Sequence, residues 1–150
     1  MVELSTPEGY NSRLLTGLGQ LLDAEDLGVF ATSGTYPEEG WAVFIGLTPD
    51  KPDRAITLMS YPVEDTDLTS VITGVQFRFR GGRDPREIEN QSDAVYNLLH
   101  NKEHYALNGV SVNLSWRQSG AWMGQDTNQR IERVENFYLR TEREAPFLRA

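Results

Sequence analysis

The stretch FRFRGGRDPREIENQSD, residues 77–93, holds the end of a strand, a glycine turn and the start of a helix. Just upstream, Val71, Thr73, Val75, Phe77 and Phe79 recur at every second position. They share one face of a strand over 71–80, while Gln76, Arg78 and Arg80 point to the other. Gly81-Gly82-Arg83 turns the chain. Asp84, Pro85 and Glu87 then fit the N-cap, N1 and N3 positions of a helix: an acceptor for free N–H groups, a residue already held near helical φ, and a capping-box carboxylate. Ile88, Val95, Leu98 and Leu99 give this helix one apolar side, ending near Asn101 or Lys102. A one-sided strand and a one-sided helix need each other as layers.

Outward from this unit, Asn11 or Ser12 is placed to cap a helix striped by Leu14, Leu15, Leu18, Leu21 and Leu22. Gly17 and Gly19 weaken it intrinsically, so packing must hold it. A loop rich in Gly, Pro and acid (32–40) leads to WAVFIG (41–46), the unbroken apolar run of a central strand. TPDKPDR (48–54) is turn chemistry, and AITLMSY (55–61) is a second strand stopped by Pro62. On the far side, GVSVNLSWR (109–117) alternates Val110, Val112, Leu114 and Trp116 against Ser111, Asn113, Ser115 and Arg117. Gln118–Gly120 reads as a turn, DTN (126–128) as the tip of a long hairpin, and Arg130–Glu142 as the last strand. The expectation is one α+β domain over 1–150. It has a mainly antiparallel or mixed sheet of about five strands with two amphipathic helices packed on it, in the order αβββαββ. The segment 144–150 is expected to be flexible or ordered by a partner.

The net charge is −8 and the isoelectric point about 4.7, which argues against gripping nucleic-acid phosphates. An acidic wall also lets DNA pass without sticking. The absence of cysteine excludes disulfides, thiolate catalysis and cysteine-ligated zinc. No apolar run reaches a membrane-spanning length, and MVELSTPEGY has no leader character, so a soluble protein made in the cytoplasm is expected.

Four arginines within residues 78–86 invite a phosphate-binding reading. Gly81-Gly82 lacks the spacing of a phosphate loop, however, and Asp84 and Glu87 would repel an anion at the helix start. Arg78 and Arg80 read instead as the polar face of a strand, or as contacts to carboxylates of a neighbouring subunit. HNKEH (100–104) matches H-x-x-E-H, an inverted zinc-peptidase pattern, and makes a small zinc hydrolase through His100, Glu103 and His104 a distant alternative. That chemistry needs a helix running through the motif, whereas this helix is already ending at Asn101. Histidines interacting with the last helix carbonyls are the simpler reading. Neither a Ser-His-Asp set nor a carboxylate pair in an apolar setting is present. By pattern alone this is a structural or interaction domain, and the broken helix and absent cysteine lead to the expectation of no bound metal.

Two stretches, 74–101 and 105–143, resemble the phage tail terminator family, also called phage minor capsid proteins. The resemblance rests on Arg78, Arg80 and Gly81 closing a strand; on Asp93, Leu99 and His100 in the following helix; and on Asn108-Gly109 before the next strand. Gly124, Asp126 and Arg130 in a hairpin, and Asn136-Phe137 in the final strand, complete it. PDKPDRAITLMSYPV (49–63) looks like the family's second-strand region, so the likeness spans about 41–143. The pieces are individually common; their shared order and spacing are specific. Asn128-Gln129 stands where family members commonly have Asn-Gly, so the hairpin tip is expected to differ.

The resemblance implies a virion protein of long-tailed phages, no enzyme and without a cofactor, assembled in the host cytoplasm and placed at the tail neck. It implies a homohexameric ring on the head-proximal end of the tail tube, with the major tail tube protein and the head–tail connector or stopper as partners. Genomic DNA would traverse the lumen without specific binding. A neighbouring head-completion or connector subunit is the alternative. A ring joins unlike surfaces, so the expected assembly residues are Arg78, Arg80, Arg83, Arg86, Trp122, Met123, Asp126, Arg130, Phe147 and Leu148.

Overall fold

The computed structural model describes residues 7–31 and 35–150. The readings of the first ten residues and of the 32–40 loop fall partly outside them. The elements are α1 (Tyr10–Ala24), β1 (Ala42–Ile45), β2 (Ala55–Glu64), β3 (Ser70–Arg80), α2 (Pro85–Leu99), β4 (Lys102–Leu107), β5 (Val110–Gln125) and β6 (Ile131–Glu142). The strands form one sheet in the order β1-β2-β3-β6-β5-β4, antiparallel except for the parallel β1–β2 pair. The expected α+β layer is present. It has six strands among the described residues, and its order is αβββαβββ.

The main core lies between the helices and one sheet face. Leu14, Leu18 and Leu22 of α1 and Ile88, Val95 and Leu99 of α2 meet Val71, Val75, Phe77 and Phe79, the β3 set that the alternation marks. Phe137 of β6 joins them, its ring edge-on to Phe77 at 5.2 Å between centroids. Each fully buried side chain of this kind is worth about 1.5–3 kcal/mol. Tyr10 enters the same core with its hydroxyl satisfied by Thr73 (2.8 Å) and Thr141 (2.5 Å). Gly17 and Gly19 sit where a side chain would strike β4 and Phe30, so they let α1 lie close to its neighbours.

Several expectations change. The strand in 41–46 is an edge strand, not a central one; its apolar run is buried because Val43 faces α1 while Ala42 and Phe44 pack with Tyr36 on the other side. β2 continues through Pro62 to Glu64 with a register shift there. β1 ends opposite Leu58, so Pro62 lies on a free edge where the missing N–H costs nothing. α1 starts earlier, with Gly9 as N-cap; Asn11 instead accepts from Ser60, and Ser12 donates to Glu8. α2 does begin with Asp84 as N-cap and proline in its first turn. Glu87, however, accepts from the Gly82 N–H and the Arg54 guanidinium rather than from the N-cap N–H.

The largest changes are in β4 and β5. α2 stops at Leu99, and 102–107 is a strand joined to β5 by Asn108-Gly109, both at positive φ (47° and 83°). This is the two-residue hairpin that Asn-Gly favours. Residues 118–120 form no turn: β5 runs on to Gln125, with register shifts at Val112/Leu114, Arg117/Ser119 and Trp122/Gly124. The first shift reverses the expected alternation. Ser115 is fully buried, bonded to Leu99 O, while Leu114 and Trp116 turn to the half-exposed outer face.

Candidate assembly surface

At one end of the sheet three connections meet: the β1–β2 loop, the β3–α2 turn and the β5–β6 hairpin. Parallel neighbours usually need a long crossover, yet 46–54 returns from β1 to β2 without a helix, leaving its carbonyls without a ladder. Arg80 serves them. Its side chain is 5% exposed and donates to the carbonyls of Pro49 (2.8 Å), Asp50 (3.4 Å), Pro52 (2.7 Å) and Asp53 (3.0 Å). Burial, then the charge of Arg130, pull its pKa down.

Arg130 fastens the hairpin to the same loop. It donates to Asp126 at 2.8 Å, to Asp53 at 3.2 Å, and to both the side chain (3.0 Å) and carbonyl (2.5 Å) of Asp50. Burial opposes its charge, but the Asp126 and Asp50 bonds more than offset this and raise its pKa. Burial likewise works against the Asp126 carboxylate, which Arg130 and the Asn128 N–H hold below the usual range. Asp126 also accepts from the Asn128 and Arg130 N–H groups, shaping the hairpin tip, where Gln129 adopts φ 64°. Beside it Arg54 and Glu87 pair at 2.6 Å, linking the loop to α2; that bond raises the arginine pKa and lowers the glutamate pKa.

A second arrangement holds the outlying half of β5. β4 pairs with β5 only as far as Ser115, and the Arg117 N–H is taken by His100 Nδ1 at 3.1 Å. From Gln118 to Gln125 the edge is open among the described residues. Trp122 and Met123 lie there, 46% and 51% exposed. Trp122 is not loose: the Arg133 guanidinium lies 5.1 Å from its ring centroid, a cation–π contact. Arg133 in turn donates to Glu89 of α2 (3.1 Å) and to Glu135 (2.9 Å). Glu135 is 1% exposed and also accepts from Ser92; its other oxygen has no partner among the described residues. That oxygen lies against Gly120, where a Cβ would overlap the carboxylate.

The structure therefore gathers Arg80, Asp126 and Arg130 at the loop end, all engaged within the chain, with exposed Arg83 beside them. Arg78 pairs with Glu132 at 3.2 Å across β3 and β6, and Arg86 with Asp84 at 3.0 Å. Phe147 and Leu148 lie at the opposite end, Phe147 exposed and Leu148 half-buried. Sequence reasoning missed Arg133, Glu135, Ser92 and Gly120. The one available signal was a glycine and a glutamate falling at paired positions of two strands, and the misread turn at 118–120 concealed that pairing.

The zinc reading fails on geometry. His100 closes α2, stacks on Tyr96 and accepts from Arg117; Glu103 and His104 lie in β4, with His104 at φ 51°. One helical face never carries both imidazoles, and His100 does not serve the last carbonyls either. Among the described residues, no helix is long and apolar enough to cross a membrane.

No curated protein matches the chain. A family model described as bacteriophage tail terminator protein matches residues 21–143, which include every strand, all of α2 and both bracing networks. The chain belongs to the bacteriophage tail terminator family.

Proposed function

We propose that this chain forms a ring, six-fold as in the family it resembles, on the head-proximal end of a phage tail tube. There it stops tube polymerisation and offers a face to the head–tail connector, while DNA passes through the acidic ring without specific binding. Family membership gives the structural, virion role. The observation that supports the finer reading is the outlying half of β5: an open edge bearing exposed Trp122 and Met123, with the Trp122 ring held by Arg133, itself paired with Glu135. A fixed apolar surface without a cover is what a permanent partner uses. Among the expected contacts, Arg83, Arg86, Trp122, Met123, Phe147 and Leu148 remain as surface. Arg80, Arg130 and Asp126 act from within by setting the shape of the loop end, and Arg78 stays half-exposed on the outer face. In a phage lacking this protein, tubes should grow past normal length and fail to join heads. Tails of normal length, joined to heads in its absence, would refute the reading.

A further inference from the structure

The segment after β6 folds back into a tethered turn. The Arg149 N–H donates to Asp67 O and the Thr69 N–H to Arg149 O, each at 2.8 Å, and the Leu148 N–H donates to Ala145 O at 3.1 Å. An Arg149–Asp67 ion pair adds a side-chain tie. Pro146 restricts φ within the turn, and Phe147 projects from it, 95% exposed. An aromatic side chain on a backbone already held in place needs little ordering on binding. It lies beyond residue 143, outside the family match.

At the other end of the sheet, the twelve residues of β6 or roughly 40 Å away, there is a shallow apolar groove of about 270 Å³. Pro85 at the start of α2, Trp122, Gly124, Gln125 and Ile131 line it. Arg133 fixes the Trp122 wall. Charge complements shape. Around the turn, Glu64, Asp65, Asp67, Glu142 and Glu144 outnumber Arg143 and Arg149. Beside the groove stand exposed Arg83, with no ion pair among the described residues, and exposed Arg86, which shares its charge with Asp84. Knob and groove lie too far apart to meet within one chain.

We propose that Phe147 of one copy seats in the Pro85–Trp122–Ile131 groove of the next copy, its acidic surroundings facing Arg83 and Arg86. The contact joins unlike surfaces, so it repeats head to tail and closes a ring or extends a chain. This rests on the ring reading above and names the contact between neighbours.

The chain has no cysteine, so a Pro146→Cys variant and a Gln125→Cys variant can be mixed and oxidised. Disulfide-linked dimers should appear in the mixture and in neither variant alone. Phe147→Asp should raise the concentration needed for assembly by about tenfold or more, while electron microscopy of the unsubstituted protein shows whether rings form. Rings without the cross-link, or with unchanged assembly of Phe147→Asp, would overturn this contact and leave the ring reading standing. Cross-linking of Pro146→Cys alone would mean a two-fold contact and also overturn it. Open chains carrying the cross-link would support the contact and sink the ring. A protein monomeric both alone and in tails would overturn both.

Discussion

At the residue scale, the arginines that first suggest binding divide by burial. Arg80 is a strut: four carbonyls of one loop converge on its guanidinium. Charge reversal there would set a carboxylate against those oxygens, so Arg80→Glu tests folding, and tests of assembly belong on Arg83 and Arg86. Arg80→Met keeps much of the stem but removes the donors. It should cost at least about 1.5–3 kcal/mol, the worth of one charge-assisted hydrogen bond, read by urea unfolding. A loss below about 0.5 kcal/mol, the scale of a surface change, would show that the loop supports itself. Gln129 makes the opposite case. Its φ of 64° lies in the left-handed region, which costs a residue with a Cβ about 1–2 kcal/mol, and glycine escapes that cost. Gln129→Gly should stabilise the chain by about 0.5–1 kcal/mol after the added freedom of the unfolded state is counted. A lowered melting temperature would mean that the Gln129 side chain has an unrecognised role.

At the element scale, what was legible and what was not separate on one physical ground. β3 and α2 were legible because alternation, turn glycines and an N-cap agree locally. β4 was hidden because KEHYAL is polar and exposed, an edge strand whose pairing is set by β5; the Asn108-Gly109 hairpin signal pointed to it. β5 defeated the alternation rule because bulges shift the faces, which no periodicity in one strand reveals. The bracing of Trp122 through Arg133 and Glu135 was illegible for the same reason, since it depends on register between β5 and β6. This makes Gly120 testable. Gly120→Ala should destabilise by about 1–3 kcal/mol through overlap with the Glu135 carboxylate. In a Glu135→Ala background most of that cost should vanish, a coupling of the kind a double-mutant cycle measures. Additive losses would mean the strain lies in the backbone instead.

At the scale of the whole molecule, the sheet has a braced end, a tethered end and an edge left open along half of β5. Core contacts protect β3 and β6, which lie between other strands and under both helices. The 118–125 stretch has a partner on one side only, so its outward amides open cheaply in a free chain. The 144–150 segment is intermediate: Leu148 and Arg149 are bonded to the chain's own backbone, but little apolar area covers them. Assembly should change these two regions most and the core strands least. Amide hydrogen exchange should therefore be fast at the outward-facing amides of 118–128 and in most of 144–150 for a monomeric form, and slow at both in assembled tails. The Arg149 and Thr69 amides should already be partly protected in the monomer. Equal protection of 118–128 in both states would mean that the open edge faces solvent in the virion too, and that Trp122 and Met123 are simply exposed.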